Sequence, residues 1–393
     1  MSAAVPLDIA EPGASRRALA VGAFFLIAAA VILVVFALGV PSGESSTFVL
    51  NPVGGGPIHI PDLTVPSRAT SLILGVLCAG LGAYQLVRGF GERTNLVLGI
   101  VVTLFVVAFL AWAAHGKSFN LVGMFQSTLL LAVPITFGAL SGVLCERAAV
   151  INVGIEGMLL AGAFAGTVVG SVAGGASGVH LVGGTPAEWL GLAAGAVVGG
   201  LLGALLAVLS IRYVVDQIIA GVAINIVALG LTSYLSVAFL EQNNALNAPG
   251  IFRGVAIPGL AKLPVIGPVL FDQNIFVYLM LIFVALIYVG LFHTRWGLRV
   301  RAVGEHPRAA DTVGIRVLAI RYWNVILGGL VAGIGGAFFT LGSVGRFDEN
   351  MTAGRGFIGL AAMIFGRWNP VGGFLAALVF GFADALSTKL SIL

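Results

Sequence analysis

The sequence predicts an all-α fold: a polytopic membrane protein of about ten transmembrane helices with one half-length, re-entrant segment. Three observations carry that expectation. The chain of 393 residues is 59% hydrophobic and only 9% charged, with a mean hydropathy of +1.08, outside the range of soluble domains. Its apolar runs recur at close to the ~20 residues that a helix needs to cross a bilayer. Most arginines sit at the ends of those runs, where a Lys/Arg excess in short loops marks the cytoplasmic side.

In chain order the expected spans are 18–40, 69–87, 94–114, 121–144, 151–177, 187–211, 216–239, 275–292, 323–344 and 371–385. The run after Arg16-Arg17 is too long for a signal-peptide core and reads as an anchor, with the N-terminus (1–17) cytoplasmic. A Gly/Pro/Ser-rich external loop follows, with a small hairpin expected around Gly54-Gly55-Gly56, and a second, Pro-rich external loop is expected at 241–274. Under this threading the positive turns at 88–93, 147, 212 and 294–321 lie inside, while Lys117, Arg253 and Lys262 lie outside. The first three spans (18–117) hold no charge within the membrane, and the character of the chain changes at Phe119. Residues 357–365 are apolar but half the crossing length, and Gly366-Arg367-Trp368-Asn369-Pro370 interrupts them. Such a half-helix is tolerated where protein or water satisfies its freed backbone groups; a helix lying flat on the outer surface is the alternative. Glycines at Gly162, Gly166 and Gly170, and at Gly191, Gly195 and Gly199, give two helices a flat strip for close packing.

The densest positive charge lies between Arg295 and Arg321, six arginines in a polar stretch (294–321) pinned between two spans. Pro307 suits a first helical position and Gly314 a C′ stop, so a helix of about two turns is expected between them. Ala309, Ala310 and Val313 would share one side, with Arg308, Asp311 and Thr312 on another. Two turns are not stable alone in water, so this helix requires a surface to lean on.

Enzyme chemistry finds no support. The five histidines are scattered without metal-ligand spacing, no phosphate loop precedes any of the three lysines, and the two cysteines lie in separate apolar segments. No cofactor, metal or nucleic acid is expected, and any ATP must be bound by another chain. Polar residues within the spans are the candidates for a solute pathway: Gln126, Asn152, Glu156, Gln217 and Asn225, with Thr232 and Ser233. Glu156 and Asp216 also suit helix N-termini, and Asn225 either bonds a neighbouring helix or faces a solute. An ion-coupled carrier working without an ATPase is the competing class. It normally uses a mid-membrane carboxylate, and only Asp384 lies in an apolar run away from a loop.

The stretches ERAAVINVGIEGMLLAGAFAG (146–166), DQIIAGVAIN (216–225) and GLRVRAVGEHPRAADTVGI (297–315), in this order, resemble bacterial ABC-importer permeases. The resemblance is to the branched-chain amino acid, ribose and simple-sugar group, nucleoside branch, and runs from about Phe119 to Ala385. It implies a permease core (118–393) preceded by three extra spans, in a multi-pass protein of the bacterial inner membrane. It further implies a separate ABC ATPase, a second homologous permease, an extracellular substrate-binding lipoprotein and a small-molecule solute, with lipid around the bundle. Gly304, Glu305, Pro307, Arg308, Ala309, Ala310, Asp311, Gly314 and Ile315 match that group's ATPase-coupling helix. Relatives of this kind continue past the position of Asp384 through further apolar segments, so a C-terminally truncated chain is expected.

Overall fold

The computed structural model describes residues 16–52, 59–174 and 181–392. The tip of the expected Gly54–Gly56 hairpin, Ser177 and most of the N-terminal tail lie outside these. The chain divides into two compact units, residues up to about 121 and residues 122–389.

The first unit is built on α1 (Arg16–Val31), α2 (Ser67–Val87) and α3 (Thr94–Ala113), packed around Phe25, Ile32, Phe36, Cys78 and Val101. Between α1 and α2, β1 (Ser45–Val49) pairs antiparallel with β2 (Leu63–Pro66), and β3 (Ser118–Asn120) adds parallel to β1. Ser46 fixes this small sheet: its hydroxyl donates to the Ala111 carbonyl at 2.7 Å and lies 2.6 Å from the Ser67 hydroxyl.

The second unit contains α4 (Leu121–Glu146), α5 (Ile155–Ala173), α6 (Pro186–Ala207), α7 (Gln217–Leu235), α8 (Ile275–His293), α9 (Arg295–Glu305), α10 (Pro307–Thr312), α11 (Val317–Ala337), α12 (Arg355–Phe365) and α13 (Pro370–Leu390). Ten helices among the described residues are long and apolar enough to span a membrane, and Arg355–Phe365 is a shorter apolar one. The expected span count and half-helix are thus present. The external loop 241–274 carries one short antiparallel pair, β4 (Gly254–Ala256) with β5 (Asp272–Asn274).

Helix α4 is the axis of this unit, buried over nearly all its length. The glycine ridges serve close packing. A Cβ at Gly195 of α6 would lie 2.8 Å from the Gly162 carbonyl oxygen of α5, and one at Gly199 2.7 Å from Gly333 of α11. Three backbones therefore meet where side chains would have kept them apart.

Two features depart from the sequence reading. The arginine stretch is not a loop with one small helix but two consecutive helices. The first, α9, forms because Thr294 caps it, accepting from the Gly297 amide at 3.2 Å, and because Gly297, Val300 and Val303 share its buried face. On α10, of the three residues expected to share an apolar side, only Ala310 is buried. Ala309 and Val313 face outward, Val313 with 74% of its surface exposed, because six residues can turn only one position onto the underlying protein.

Candidate functional site: the arginine helices and the α4–α5 turn

Helix α10 stands on a narrow base. Its chain closes through Ala310 N to His306 O at 2.9 Å and Ile315 N to Ala310 O at 3.1 Å, and Gly314 stops it with φ +84°. Arg308 and Asp311 are exposed and form no ion pair among the described residues. Beside them opens a hollow of about 590 Å³ lined by Pro307, Arg308, Asp311, Arg316, Val317 and Leu318.

Behind α10, α9 meets the turn that follows α4. Gly304 lies so close to the Arg147 carbonyl oxygen that no side chain fits between them. The Arg147 guanidinium reaches the Trp368 carbonyl with Nε at 3.0 Å and Nη2 at 2.9 Å, across the break between α12 and α13. The Trp368 indole in turn donates to Glu146 at 2.5 Å. Phe292 of α8 has two cations over its ring, Arg147 at 5.4 Å and Arg301 of α9 at 5.2 Å. Burial lowers the Arg147 pKa below the ordinary arginine value; the nearby Arg301 lowers it further, and Glu305 opposes both. Arg367 and Trp368 hold φ of +54° and +53°, a left-handed conformation unfavourable for side chains of their size, and these contacts over-determine it.

Four of the five candidate pathway residues lie at, or reach, the turn between α4 and α5, and each contacts other protein groups. Asn225 on α7 bridges it: its Nδ2 donates to Val153 O at 2.9 Å and its Oδ1 accepts from Gly157 N at 2.8 Å. Gln217 accepts from Ile151 N at 2.7 Å. Asn152 is fully buried, its Nδ2 3.5 Å from the Ser141 hydroxyl and its Oδ1 without a partner among the described residues. Glu156 holds the entry to α12, accepting from the Thr352 hydroxyl at 2.6 Å and the amides of Gly354 and Gly356 at 2.8 and 2.6 Å. Gln126 lies at the opposite end of α4 and donates to Pro268 O at 3.0 Å. Of the flanking candidates, Asp216 caps α7, accepting from Ile218 and Ile219 amides, and Thr232 bonds back within its own helix.

Sequence reasoning flagged the break at Trp368 but gave no reason to join it to Glu146 and Arg147, which are about 220 positions away. Phe292 and Thr352 carried no signal at all in a chain so rich in apolar and hydroxyl residues.

A bundle of apolar spans with a polar helix pair at one end defines a polytopic integral membrane protein. Its family is also clear. Residues 124–392 match the permease component of branched-chain amino acid transport systems, and the chain belongs to that family. It is similar to the guanosine ABC transporter permease protein NupQ of Bacillus subtilis, 39% identical over 68% of this chain and 82% of that protein. The nucleoside ABC transporter permease protein NupC of Lactococcus lactis is likewise 39% identical, over 66% of this chain and 80% of its own. A putative glucose ABC transporter permease protein of Haloferax volcanii, TsgC13, is 33% identical over 68% and 77%. No solved structure matches the chain.

Proposed function

We propose that this chain forms one half of the membrane pathway of an ATP-driven importer whose solute is a nucleoside. The two relatives named for guanosine and nucleoside transport, at 39% identity against 33% for the one named for glucose, favour nucleosides over sugars. A separate ABC ATPase docks on α10, a second related permease completes the pathway, and an external lipoprotein delivers the solute. The protein lies in the bacterial inner membrane with its N-terminus cytoplasmic, a placement that the arginine-rich turns support. Residues 18–117 are an addition to a permease core that begins near 118.

One observation carries the docking assignment: α10 has a single buried residue, while Arg308, Asp311 and Val313 point away from the protein beside an open hollow. A six-residue helix so little supported needs a partner surface. Force applied there has a short route inward. Displacement of α10 carries α9, whose Gly304 backbone bears on Arg147, and Arg147 grips the Arg367-Trp368 elbow. The turn 147–157 is fastened to α7 by Asn225 and Gln217, so α4, α5, α7 and α12 move as one body.

The test is co-purification of the cognate ATPase with wild type and with the charge-reversed Arg308→Glu, Asp311→Arg variant. The variant is expected to insert into membranes normally and to lose the ATPase. Equal recovery of ATPase with both refutes the docking assignment.

A further inference from the structure

Arg355, the first residue of the half-length α12, and Asp384, within α13, are two charged side chains set away from the elbow that joins these helices. The eleven residues of α12 rise about 16 Å from Arg355 to the Trp368 elbow, half of a ~30 Å hydrocarbon core. Asp384 stands fourteen positions into α13, roughly 21 Å from its start. Both are partly open to the outside of the bundle, 24% for Arg355 and 43% for Asp384, and they approach only to 3.9 Å. The Arg355 Nε has no partner among the described residues, and its guanidinium lies 5.7 Å from the Phe339 ring centre. A charge facing lipid at that depth costs about 2.5–3.5 kcal/mol even on the mildest scale, so charged residues there face a cavity or another protein.

We propose that the face formed by α12 and α13 lines the aqueous solute pathway, and that Arg355 and Asp384 hydrogen-bond a neutral, hydroxyl-rich solute of nucleoside class at mid-depth. This rests on the importer reading above and names where in the chain the solute is held. The chemistry suits such a solute. The pair sums to zero charge, so it does not select an anion or a cation. Its carboxylate accepts from hydroxyls while its guanidinium donates to hydroxyl and ring acceptors, and the Phe339 ring adds an apolar flank. At 3.9 Å the two groups are not directly hydrogen-bonded, so a hydroxyl approaching from the open side can bridge them. The strained entry to α12, with Asn350 at φ +51° and Ala353 at +46°, is what sets Arg355 at this level, held by Glu156.

The test is thiol labelling of the assembled transporter in membrane vesicles with a membrane-impermeant methanethiosulfonate. Cys78 and Cys145 are both buried and free, so the unmodified chain is the blank. Asp384→Cys reads access, Phe380→Cys reads it one turn back on the same face with the charged pair intact, and Val379→Cys, on the exposed face turned away, is the lipid control. Labelling is expected at Asp384→Cys and Phe380→Cys, not at Val379→Cys, with the Phe380→Cys labelling lost in the presence of adenosine, uridine or glucose. No labelling at Asp384→Cys means that lipid, the second permease or a further apolar segment covers this face, and it overturns the proposal. Labelling that none of the three solutes reduces overturns the assignment of the pair to solute. Failure of the importer reading is distinct: wild-type vesicles would show no ATP-dependent uptake of any of them.

Discussion

Replacing Glu156 by alanine tests whether one carboxylate holds the broken crossing together. Glu156 accepts three hydrogen bonds, from the Thr352 hydroxyl at 2.6 Å and from the amides of Gly354 and Gly356 at 2.8 and 2.6 Å. Bonds to a charged group contribute about 1.5–3 kcal/mol each. The Thr352 hydroxyl can rotate toward another acceptor, but the two backbone amides belong to the cap and first turn of α12 and have no acceptor within the helix. Losing those two bonds costs roughly 3–6 kcal/mol. The left-handed residues Asn350 and Ala353 each store about 1–3 kcal/mol, which the alanine variant would no longer oppose. Local opening of residues 345–356 should then rise by about 10²- to 10⁴-fold. Hydrogen exchange of that segment, measured on the assembled transporter in nanodiscs, reads the change directly. Glu156→Gln keeps one acceptor oxygen and should fall between wild type and alanine. Exchange in Glu156→Ala indistinguishable from wild type would refute the view that this carboxylate holds the segment.

Gly304→Leu forces α9 off the Arg147 carbonyl, and it should lower solute-stimulated transport while ATPase co-purification persists; loss of both together would place Gly304 in the docking surface instead. Asn225→Leu leaves the Gly157 amide and the Val153 carbonyl unpaired, and it should destabilise the bundle by about 1–3 kcal/mol for each buried group, read as a lower thermal midpoint in detergent.

The spans were legible because one bilayer imposes one length and because charge is excluded from it, so each apolar run between arginine-bearing turns became a helix near its expected place. The α10 helix was legible for a local reason, a proline at its first position and a glycine after its last. What escaped was set by tertiary contact. Helix α9 looked like a loop because its stretch holds three arginines, and only the burial of Val300 and Val303 gives it a side to lie on. Glu156 read equally well as a cap for its own helix, yet its three partners lie about 200 positions later.

These long-range contacts share one mechanical property. The elements that break regular structure at depth, the descent through Asn350 and Ala353 and the elbow at Arg367 and Trp368, bracket α12 at both ends. Each is held by residues of the α4–α5 region: Glu156 at one end, Glu146 and Arg147 at the other. A half-helix clamped at both ends to the same turn must follow that turn when it moves. Arg355 stands at the far end of that half-helix. Under the proposed docking of an ATPase on α10, a push there would pass through Gly304 and Arg147 to α12 and so to Arg355, and a tilt of α12 would change its 3.9 Å separation from Asp384.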